Sequence, residues 1–589
     1  MLGISSKMAI KCAASFGVTA RTRASIPRGP GDLCPAYWLM YNRDTTPPER
    51  TKGPHASMST EHVSIDGAGL TLDQVRRVAR QRAGVTLAGK ARQRVERAAQ
   101  RLAAKASSEA PIYGVNTGFG VFADRRIAPG QAAQLSTNLI LSHAAGVGPP
   151  FSREVVRASM LIRANTLAAG HSGVRPVILE TLLALLSAGV TPWVPSQGSL
   201  GSSGDLAPLA QLALVFTDHP DRAASSGQAW LGETLMPGAE AIRSAGIDPV
   251  RLEAKEGLAL TNGATFSAAM LALAVLDAVE LVLQAEIVAG MTLEALRGVS
   301  HAFDDRLHQS RNHPGQIESA ARLRLLTAGS SLLDSGPQVQ DAYSLRCIPQ
   351  IHGPAHELLG FVAEIVEREI NAATDNPLLY EDTVISGGNF HGEPIGLAAD
   401  YLKLPLAEIG ALAERRLFRL TSEHSSFGLP SMLVGSPGQE GLQSGLMMLQ
   451  YTAASLVLEN QGLASADSLR SLPTSAGQED HNANATLAAR NLATILANVR
   501  QIVAIEWVAA GQALDLRLRH EPDLKLGPGS RAGLSLLRSS VAFAEQDRPS
   551  YPDLARAVEM LQSAELLPRA ADACDGLIGP RYAAWLGML

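Results

Sequence analysis

The sequence predicts a mainly α-helical protein: a bundle of long core helices with a smaller N-terminal domain of mixed helices and short strands. Two patterns predict this fold class. Beyond Ala254 the apolar residues recur with the period of long helices, and alternating strand patterns are scarce and short. The clearest helical segments are 266–290, 356–371, 395–420, 445–465 and 484–516.

The first 57 residues differ in composition from the rest of the chain. Five basic residues precede Asp32, which is the first acidic residue. A transit peptide has this composition, and so does a stretch upstream of a misassigned start, because Met58 opens the segment where ordered structure is expected. We expect residues 1–57 to be a disordered extension without a catalytic role.

Two domains follow the extension. Residues 58–255 form the N-terminal domain, with a strand-like segment at Val63–Ile65 and capping-box spacing from Thr71 to Gln74 ahead of a helix. Residues 256–589 hold the long-helix bundle and the C-terminal helices. Because long helices leave broad apolar faces unburied in one chain, we expect the protein to assemble with copies of itself.

Composition argues against several kinds of partner. The chain has 51 Lys and Arg against 56 Asp and Glu and no basic block with interleaved aromatic residues, so nucleic acid is not expected to bind. The four cysteines are scattered, without a CxxC motif or a neighbouring histidine pair. This pattern predicts no metal site and no disulfide framework, and it favours a reducing compartment, the cytoplasm.

The longest apolar segment, 266–291, is interrupted by Asp277, Glu280 and Glu286. Acidic residues at these positions favour a helix buried in a bundle over a membrane span, so we expect no membrane association. The chain also lacks a nucleotide-binding fingerprint, and we therefore expect no soluble cofactor.

The segment 198-GSLGSSGDLAPLA-210 places a corner of small residues, 198–205, in front of a helix. Asp205 is a favourable N-cap residue for the apolar stretch 206–216, and Pro208 is tolerated in a first turn. Taken alone, the segment fits an ordinary Gly-Ser turn or an anion-binding helix start.

Six further loops carry polar and aromatic residues that a plain helical bundle does not need. Each alone has an ordinary explanation, such as a turn at Asn262-Gly263 or a surface position for Arg346. In chain order the loops are Tyr113–Gly120, Ser142–Gly146, Thr261–Gly263, Gln340–Cys347, Gly388–His391 and Gln478–His481.

Together with the corner, these loops resemble those of the aromatic amino acid lyases, the family of histidine, phenylalanine and tyrosine ammonia-lyases and related aminomutases. The resemblance extends from about residue 60 to at least residue 520 and is closest to the histidine ammonia-lyases. It implies a carbon–nitrogen lyase with a long-helix bundle of the fumarase/aspartase-like type. It also implies a homotetramer whose active sites combine loops of more than one subunit.

The resemblance implies that Ser202, Ser203 and Gly204 cyclise to 4-methylideneimidazol-5-one (MIO). The Gly204 nitrogen must attack the Ser202 carbonyl in a tight turn without a Cβ, and Ser203 must lose its hydroxyl as water. The family most often has alanine at the first position, but only that residue's carbonyl enters the ring, so Ser202 is compatible with cyclisation. The resulting electrophile lowers the barrier to losing ammonia from an amino acid whose β-proton is hardly acidic.

The resemblance also assigns roles to loop residues. Tyr113 corresponds to the base that removes the β-proton, and a phenol must be tuned below its free pKa of about 10 to do so near neutrality. Tyr343 lies in the second essential tyrosine loop, and Arg346 corresponds to the clamp for the substrate carboxylate. Asn262 and Gln340 correspond to residues that hold the prosthetic ring's oxygen or the substrate.

Substrate choice is assigned to His143 and Glu479, which resemble the imidazole-recognising pair of the histidine ammonia-lyases. A carboxylate suits a ring with N–H donors and would lie buried and unpaired against a phenyl ring. Glu479 is counted among the catalytic residues as well, and Phe390 and Met447 correspond to further pocket residues. The resemblance therefore implies conversion of L-histidine to trans-urocanate and ammonia.

The chain departs from the family pattern near the pocket. Residues 482–486 are Asn-Ala-Asn-Ala-Thr, where histidine ammonia-lyases usually continue Val-Ser-Met-Gly. Gln211 replaces a common histidine, and Leu446 stands where an aromatic residue is frequent. These departures bear on the substrate more than on the reaction.

Two alternatives stay open. One is an ammonia-lyase or aminomutase for tyrosine, phenylalanine or another aromatic amino acid, because His143 can hydrogen-bond a phenol as well as an imidazole. The other is a non-catalytic helical assembly protein. The intact Tyr113, Ser203, Tyr343 and Arg346 argue against the second alternative, since a scaffold needs none of them.

Overall fold

Long helices that pack side by side form the centre of the molecule. The computed structural model describes residues 62–106, 108–381 and 383–588, and the predicted extension 1–57 lies outside them. The central helices, which pack against one another, are Thr265–Ala295, Glu393–Thr421 and Ala485–His520, flanked by Ile348–Glu369 and Met447–Leu463. All five predicted long helices are present, and the mainly helical fold class is confirmed.

One of these helices begins earlier than predicted. The helix Ile348–Glu369 starts eight residues before the predicted first residue, 356. Pro349 lies in its first turn, where the missing N–H of proline leaves no helical hydrogen bond unmade, and Pro354 lies inside the helix. The two prolines made the sequence pattern look like a loop at this point.

The central helix Thr265–Ala295 is buried along nearly its whole length. It and Ala485–His520 are long and apolar enough to cross a membrane, but the apolar windows of the two helices are 89% and 72% buried inside the protein. Glu286 accepts a hydrogen bond from Arg322 Nε at 2.5 Å, and His356 Nε2 lies 3.0 Å from its other oxygen, so its charge is paired within the bundle. The segment is a core helix, as the sequence predicted.

A buried ion pair sets the register of the three central helices. Arg416 donates two hydrogen bonds to Glu506, at 2.6 and 2.8 Å, and Thr292 Oγ1 donates to the same carboxylate at 2.8 Å. Each residue belongs to a different central helix, and both charged side chains are fully buried. Since breaking such a pair leaves an uncompensated buried charge, its main effect is to exclude other packings of the helices.

Shorter helices surround the bundle in the described residues. Near the N-terminus Thr71 accepts a hydrogen bond from the Gln74 backbone and donates its own N–H to the Gln74 side chain, so the predicted capping box is confirmed. The shorter helices around the bundle are Leu72–Gln81, Gly89–Ala106, Ala132–His143, Arg153–Ala168, Pro176–Ala188, Leu206–Leu214, Arg222–Ser225, Gly238–Ser244, Glu256–Thr261, Asp305–Arg311, Pro314–Leu326, Tyr343–Arg346, Pro528–Arg538, Tyr551–Gln562, Leu566–Ala573 and Pro580–Leu586.

The strands of the described residues form four small sheets. Val63–Ile65 pairs in parallel with Val85–Leu87. Two further sheets are antiparallel pairs, Val147–Pro150 with Pro195–Gln197 and Leu378–Tyr380 with Thr383–Ile385. The fourth sheet has three antiparallel strands in the order Val190–Pro192, Gln228–Leu231, Thr234–Pro237. Most strands precede residue 255, in keeping with a mixed N-terminal part, and the domain boundary itself stays a prediction.

This arrangement places the corner 198–205 where several helices begin. The strand Pro195–Gln197 leads into the corner, and the helix Leu206–Leu214 leaves it. Gly201 O accepts from Gly392 N at 2.9 Å, just before the helix Glu393–Thr421, and Gly263 O accepts from Asp205 N at 2.9 Å, just before Thr265–Ala295. Helix N-termini carry partial positive charge, so the corner lies in a field that favours negative charge.

Candidate active site

The backbone turn at Gly204 has a conformation that favours glycine. Its φ is +79°, and a Cβ at this position would overlap the backbone of Gly263. Gly263 N donates to Ser203 O at 3.2 Å, and Asp205 N donates to Gly263 O, so the two segments are paired across Gly204. The close approach of two backbones explains why the third residue of the tripeptide has no side chain.

The Ser203 carbonyl oxygen accepts two hydrogen bonds. Asn262 Nδ2 donates to it at 2.6 Å, in addition to the Gly263 N–H. Asn262 is buried and follows the helix Glu256–Thr261 directly. Two fixed donors on one oxygen stabilise negative charge that develops there, which is the arrangement of an oxyanion site.

Glu479 lies against the hydroxyl of the same serine. Ser203 Oγ donates to Glu479 Oε1 at 2.5 Å, and Thr474 Oγ1 donates to the other carboxylate oxygen at 3.1 Å. The backbones of Thr474 and Glu479 also exchange hydrogen bonds around the turn Ser475–Gly477. This short closed loop holds the carboxylate beside the tripeptide.

His143 is the last residue of the helix Ala132–His143, and the strand that follows pairs with the strand leading into the corner. Its Nδ1 lies 2.9 Å from Ser142 Oγ. Burial lowers the pKa of His143 and outweighs the Leu139 carbonyl and the charge of Glu479, which both raise it. The imidazole is therefore neutral near pH 7, in the field of Glu479.

Tyr113 reaches the same region through its loop. Its hydroxyl accepts a hydrogen bond from Gly120 N at 3.2 Å, and its ring meets Phe119 edge-on with centroids 6.5 Å apart. The turn Gly120–Phe122 contacts the turn Ser475–Gly477, which leads to Glu479. The structure thus brings the Tyr113 loop next to the Glu479 loop.

Asp205 does not cap its helix as predicted. It occupies the N-cap position of Leu206–Leu214, but its carboxylate accepts from Ser267 N and Oγ at 2.8 and 2.9 Å and from Ser199 Oγ at 2.8 Å. Thr486 Oγ1 donates to it at 2.7 Å. Hydrogen bonds within the corner and to two other segments therefore replace the local cap, and they fix the end of the tripeptide.

Gln340, Tyr343 and Arg346 form a separate group, here called the surface group. Arg346 Nη1 donates to Gln340 Oε1 at 2.6 Å, and the Arg346 guanidinium lies 4.9 Å from the centre of the Tyr343 ring. Tyr343 is 69% exposed. Within the described part of the chain, no hydrogen bond, ion pair or ring contact joins the surface group to residues 202–204.

The two remaining predicted pocket residues differ in position. Phe390 is half-buried in the loop whose Gly392 N–H binds the corner. Met447 is the first residue of the helix Met447–Leu463 and is 37% exposed. The fold thus places the Phe390 loop against the corner at Gly201, while Met447 lies at the surface of the chain.

A model of a known protein family matches most of this chain. Residues 70–539 match the model of the aromatic amino acid lyases. The chain belongs to the aromatic amino acid lyase family. This assignment confirms the resemblance found in the sequence, and the members of the family are ammonia-lyases and related enzymes.

Curated relatives within the aromatic amino acid lyases cover most of the chain. The histidine ammonia-lyase of Gloeobacter violaceus is 45% identical over 523 residues, which cover 88% of this chain and 99% of that protein. The histidine ammonia-lyase of Geobacillus kaustophilus is 48% identical over 495 residues, which cover 84% of this chain and 95% of that protein.

Solved structures of aromatic amino acid lyases have the same fold. Tyrosine aminomutase from Streptomyces globisporus has a TM-score of 0.81 and 36% identity, covering 87% of this chain and 99% of that one. Histidine ammonia-lyase from Trypanosoma cruzi has a TM-score of 0.80 and 34% identity, covering 89% and 98%.

The residues around the tripeptide fit the MIO group that the family implies. The carbonyl oxygen of Ser203 would become the oxygen of the ring, and it already accepts hydrogen bonds from two donors. The backbone of Gly263 fills the space that a Cβ on Gly204 would need. Asn262 Oδ1 is buried without a hydrogen-bond partner in the described residues, so it can accept a donor from a bound molecule.

Sequence reasoning missed the polar residues that hold Asp205, the residue that follows the tripeptide. Ser199, Ser267 and Thr486 all bind the Asp205 carboxylate. Arg163, which is fully buried, donates to Ala259 O at 3.3 Å and also to Thr265 Oγ1. The signal in the sequence was an arginine among the apolar residues of the helix Arg153–Ala168, because an arginine is rarely buried without hydrogen-bond partners.

Glu369 provides a pH-dependent test of this buried environment. Burial and the charge of Asp205 raise its pKa to about 7, against a lowering effect of Arg163. In the unfolded chain the carboxyl ionises near pH 4.5, so from there to about pH 7 the folded state holds a proton that the unfolded state has lost. The stability from this group is full below pH 4.5 and falls as the pH rises to about 7.

We therefore expect Glu369→Gln to raise the thermal midpoint more at about pH 8 than at about pH 5. Glu364→Gln is the matched control, because Glu364 lies on the same helix with its side chain 66% exposed. Thermal unfolding of the three proteins at both pH values measures the difference. An equal shift for Glu369→Gln at both would contradict the assignment.

Proposed function

We propose that the protein is a histidine ammonia-lyase that converts L-histidine to trans-urocanate and ammonia. The observation that carries this proposal is the position of the Glu479 carboxylate beside the tripeptide, 2.5 Å from the Ser203 hydroxyl before cyclisation, with the neutral His143 in its field. An imidazole ring offers an N–H donor to a carboxylate, whereas a phenyl ring would leave that carboxylate unpaired. The curated relatives at 45% and 48% identity are named histidine ammonia-lyases, which supports the same substrate.

We propose that Ser202, Ser203 and Gly204 form MIO, which supplies the electrophile that lets ammonia leave. The contacts of the Ser203 carbonyl with Asn262 Nδ2 and Gly263 N support this role, since they hold negative charge on that oxygen. Tyr113 removes the β-proton of the substrate at its phenolic oxygen. His143 and Glu479 bind the imidazole ring, and Phe390 lines the pocket beside the corner.

Gln340 and Arg346 then bind the carboxylate end of the substrate, Tyr343 beside them is the second catalytic tyrosine, and Met447 lies at the rim of the pocket. A guanidinium offers two parallel donors to a carboxylate, and the hydrogen bond between Arg346 and Gln340 holds that fork in place. Because the surface group is exposed in a single chain, this role requires a second subunit that carries it to the tripeptide.

We propose a homotetramer with active sites shared between subunits. The exposed apolar side chains support this assembly, because monomeric soluble proteins rarely leave so many uncovered. Val339 beside the surface group is 95% exposed. On the helix Met447–Leu463 the exposed apolar residues are Met448, Tyr451 and Leu458, each at least 60% exposed. We further propose that the tetramer is cytoplasmic.

Mixed assemblies test the shared site. We expect Ser203→Ala and Tyr343→Phe to be nearly inactive when each is assembled alone. When the two variants are produced together, about a quarter of the sites in a random mixture combine an intact Ser203 with an intact Tyr343 from another chain, so activity returns. Light scattering is expected to give about four chains per particle. An active monomer, or mixtures no more active than the single variants, would contradict the shared site.

The substrate is tested by offering the purified protein histidine, phenylalanine and tyrosine separately and identifying the products by absorbance and chromatography. We expect urocanate from histidine as the dominant product. A tyrosine ammonia-lyase or aminomutase is the second candidate, favoured by the structural similarity to tyrosine aminomutase at a TM-score of 0.81. Consumption of tyrosine without turnover of histidine would favour that candidate.

A further inference from the structure

Two segments run side by side across the candidate site, and their contact is here called the seam: residues 199–205 and residues 479–486. At one end of the seam Ser203 Oγ meets Glu479 Oε1 at 2.5 Å. At the other end Thr486 Oγ1 donates to Asp205 Oδ1 at 2.7 Å and lies 2.9 Å from Ser199 Oγ. Between these two ends, the second segment runs from the Glu479 carboxylate to the start of the central helix Ala485–His520.

In the middle of the seam, Ser202 joins the two segments by a hydrogen bond. Its Oγ accepts a hydrogen bond from Ala483 N at 3.0 Å and donates to Leu200 O at 3.3 Å. Ser202 is 3% exposed and Ala483 is fully buried, so water cannot replace the hydroxyl. Between Glu479 and Thr486, this is the one hydrogen bond in the described residues that joins the second segment to the corner.

The other polar groups of the second segment point away from the corner. Asn482 binds the loop before it through Ser471 Oγ and Leu472 O. Asn484 Nδ2 donates to Asp467 O at 3.2 Å and to Arg470 O at 2.8 Å. These contacts stiffen the segment but do not set its distance from residues 202–204.

The contact at Ser202 is made with a backbone N–H, so it does not depend on which side chain stands at position 483. The nearby backbones are close as well, since a Cβ on Gly201 would lie 2.7 Å from the Ala485 Cβ.

We propose that Ser202 is a positioning residue for Glu479, acting through the Ala483 N–H. This inference rests on the proposed function, in which Glu479 binds the imidazole ring of the substrate. Only the carbonyl of Ser202 takes part in cyclisation, so its hydroxyl is free to set how far the Glu479 segment lies from the electrophile. Without the hydroxyl, the buried Ala483 N–H loses its partner and the segment shifts to find another.

Ser202→Ala tests the role of the hydroxyl. We expect the variant to keep the two-water mass deficit of the parent, because cyclisation does not use the hydroxyl, while kcat/KM for histidine falls about five-fold or more, as small misplacements of binding groups do. Ser202→Thr, which keeps the hydroxyl, is expected to stay within about two-fold of the parent. Ser187→Ala is the control, since Ser187 binds a carbonyl of its own helix, and it should leave kcat/KM unchanged.

A double-mutant cycle with Glu479→Gln separates positioning from general stability. If Ser202 acts through Glu479, then Ser202→Ala added to Glu479→Gln lowers the remaining kcat/KM by less than about two-fold. An undiminished loss in that background would overturn the proposal, because Ser202 would then act independently of Glu479. Intact mass and thermal midpoints of all variants are measured alongside the kinetics.

The other outcomes distinguish this inference from the proposed function. A parent protein of full encoded mass that turns over no histidine would overturn the proposed function itself. A parent with the mass deficit and histidine turnover, but with Ser202→Ala equally active, would overturn only the positioning role. Loss of the mass deficit in Ser202→Ala would also overturn it, because the hydroxyl would then serve cyclisation.

Discussion

Ser203→Ala is expected to abolish turnover of histidine while the protein still folds. If the tripeptide cyclises, the parent protein weighs two waters less than its encoded chain, since ring closure and loss of the Ser203 hydroxyl each release one. The variant has no hydroxyl to lose and can release only the water of ring closure. The electrophile would be missing, and a loss of covalent catalysis is among the largest effects one side chain can have.

Intact-mass measurement and steady-state kinetics on the same samples check this result. Ser187→Ala is again the control, because its hydroxyl donates to Leu183 O on a helix that is not part of the site. It should have the parental mass deficit, corrected for the substitution, and parental activity. A parent with the full encoded mass and normal turnover would disprove the MIO assignment.

Glu479→Gln has the second-largest expected effect. The change keeps the size of the side chain but removes its charge and weakens the acceptor that we propose faces the imidazole ring of the substrate. A charge-assisted hydrogen bond is worth about 1.5–3 kcal/mol, so we expect kcat/KM for histidine to fall at least about ten-fold. Any weak activity towards phenylalanine, which has no ring donor, should hold or rise.

Asp480→Asn is the matched control for this change. Asp480 is the next residue and carries the same charge, but its side chain is exposed. Neutralising it should leave kcat/KM for histidine close to the parental value. If Glu479→Gln were equally active on histidine, Glu479 would not recognise imidazole, and the substrate assignment would lose its main support.

The long helices could be predicted because apolar residues recur over many turns in each of them, without the alternation of a strand. Local patterns also sufficed for the capping box at Thr71, where both hydrogen bonds lie within four residues. They were misleading at Asp205, because the donors that compete for its carboxylate, Ser267 and Thr486, are 62 and 281 residues away in the chain. Tertiary hydrogen bonds of that separation leave no periodic signal in one sequence.

The candidate site was predictable as a set of loops but not as a geometry. Glu479 and Asn262 are 276 and 59 residues from Ser203, and only the fold shows that both bind it. The roles of Tyr343 and Arg346 stay predictions for a physical reason. Tyr343 is exposed and Arg346 is half-buried beside it, so in the proposed assembly their place relative to Ser203 depends on contacts between subunits rather than on the fold of one.

The hydrogen bonds that hold the tripeptide come from parts of the chain 59 to 281 residues away. A ribosome-bound fragment that lacks residue 483 has not assembled this environment, so the proposed cyclisation is expected to wait until residue 483 has been synthesised and the chain has folded. The two waters lost in that reaction would then act as a covalent record of folding history. In a mixed preparation, mass alone would count the molecules that once reached the native state, even after they had been denatured for the measurement.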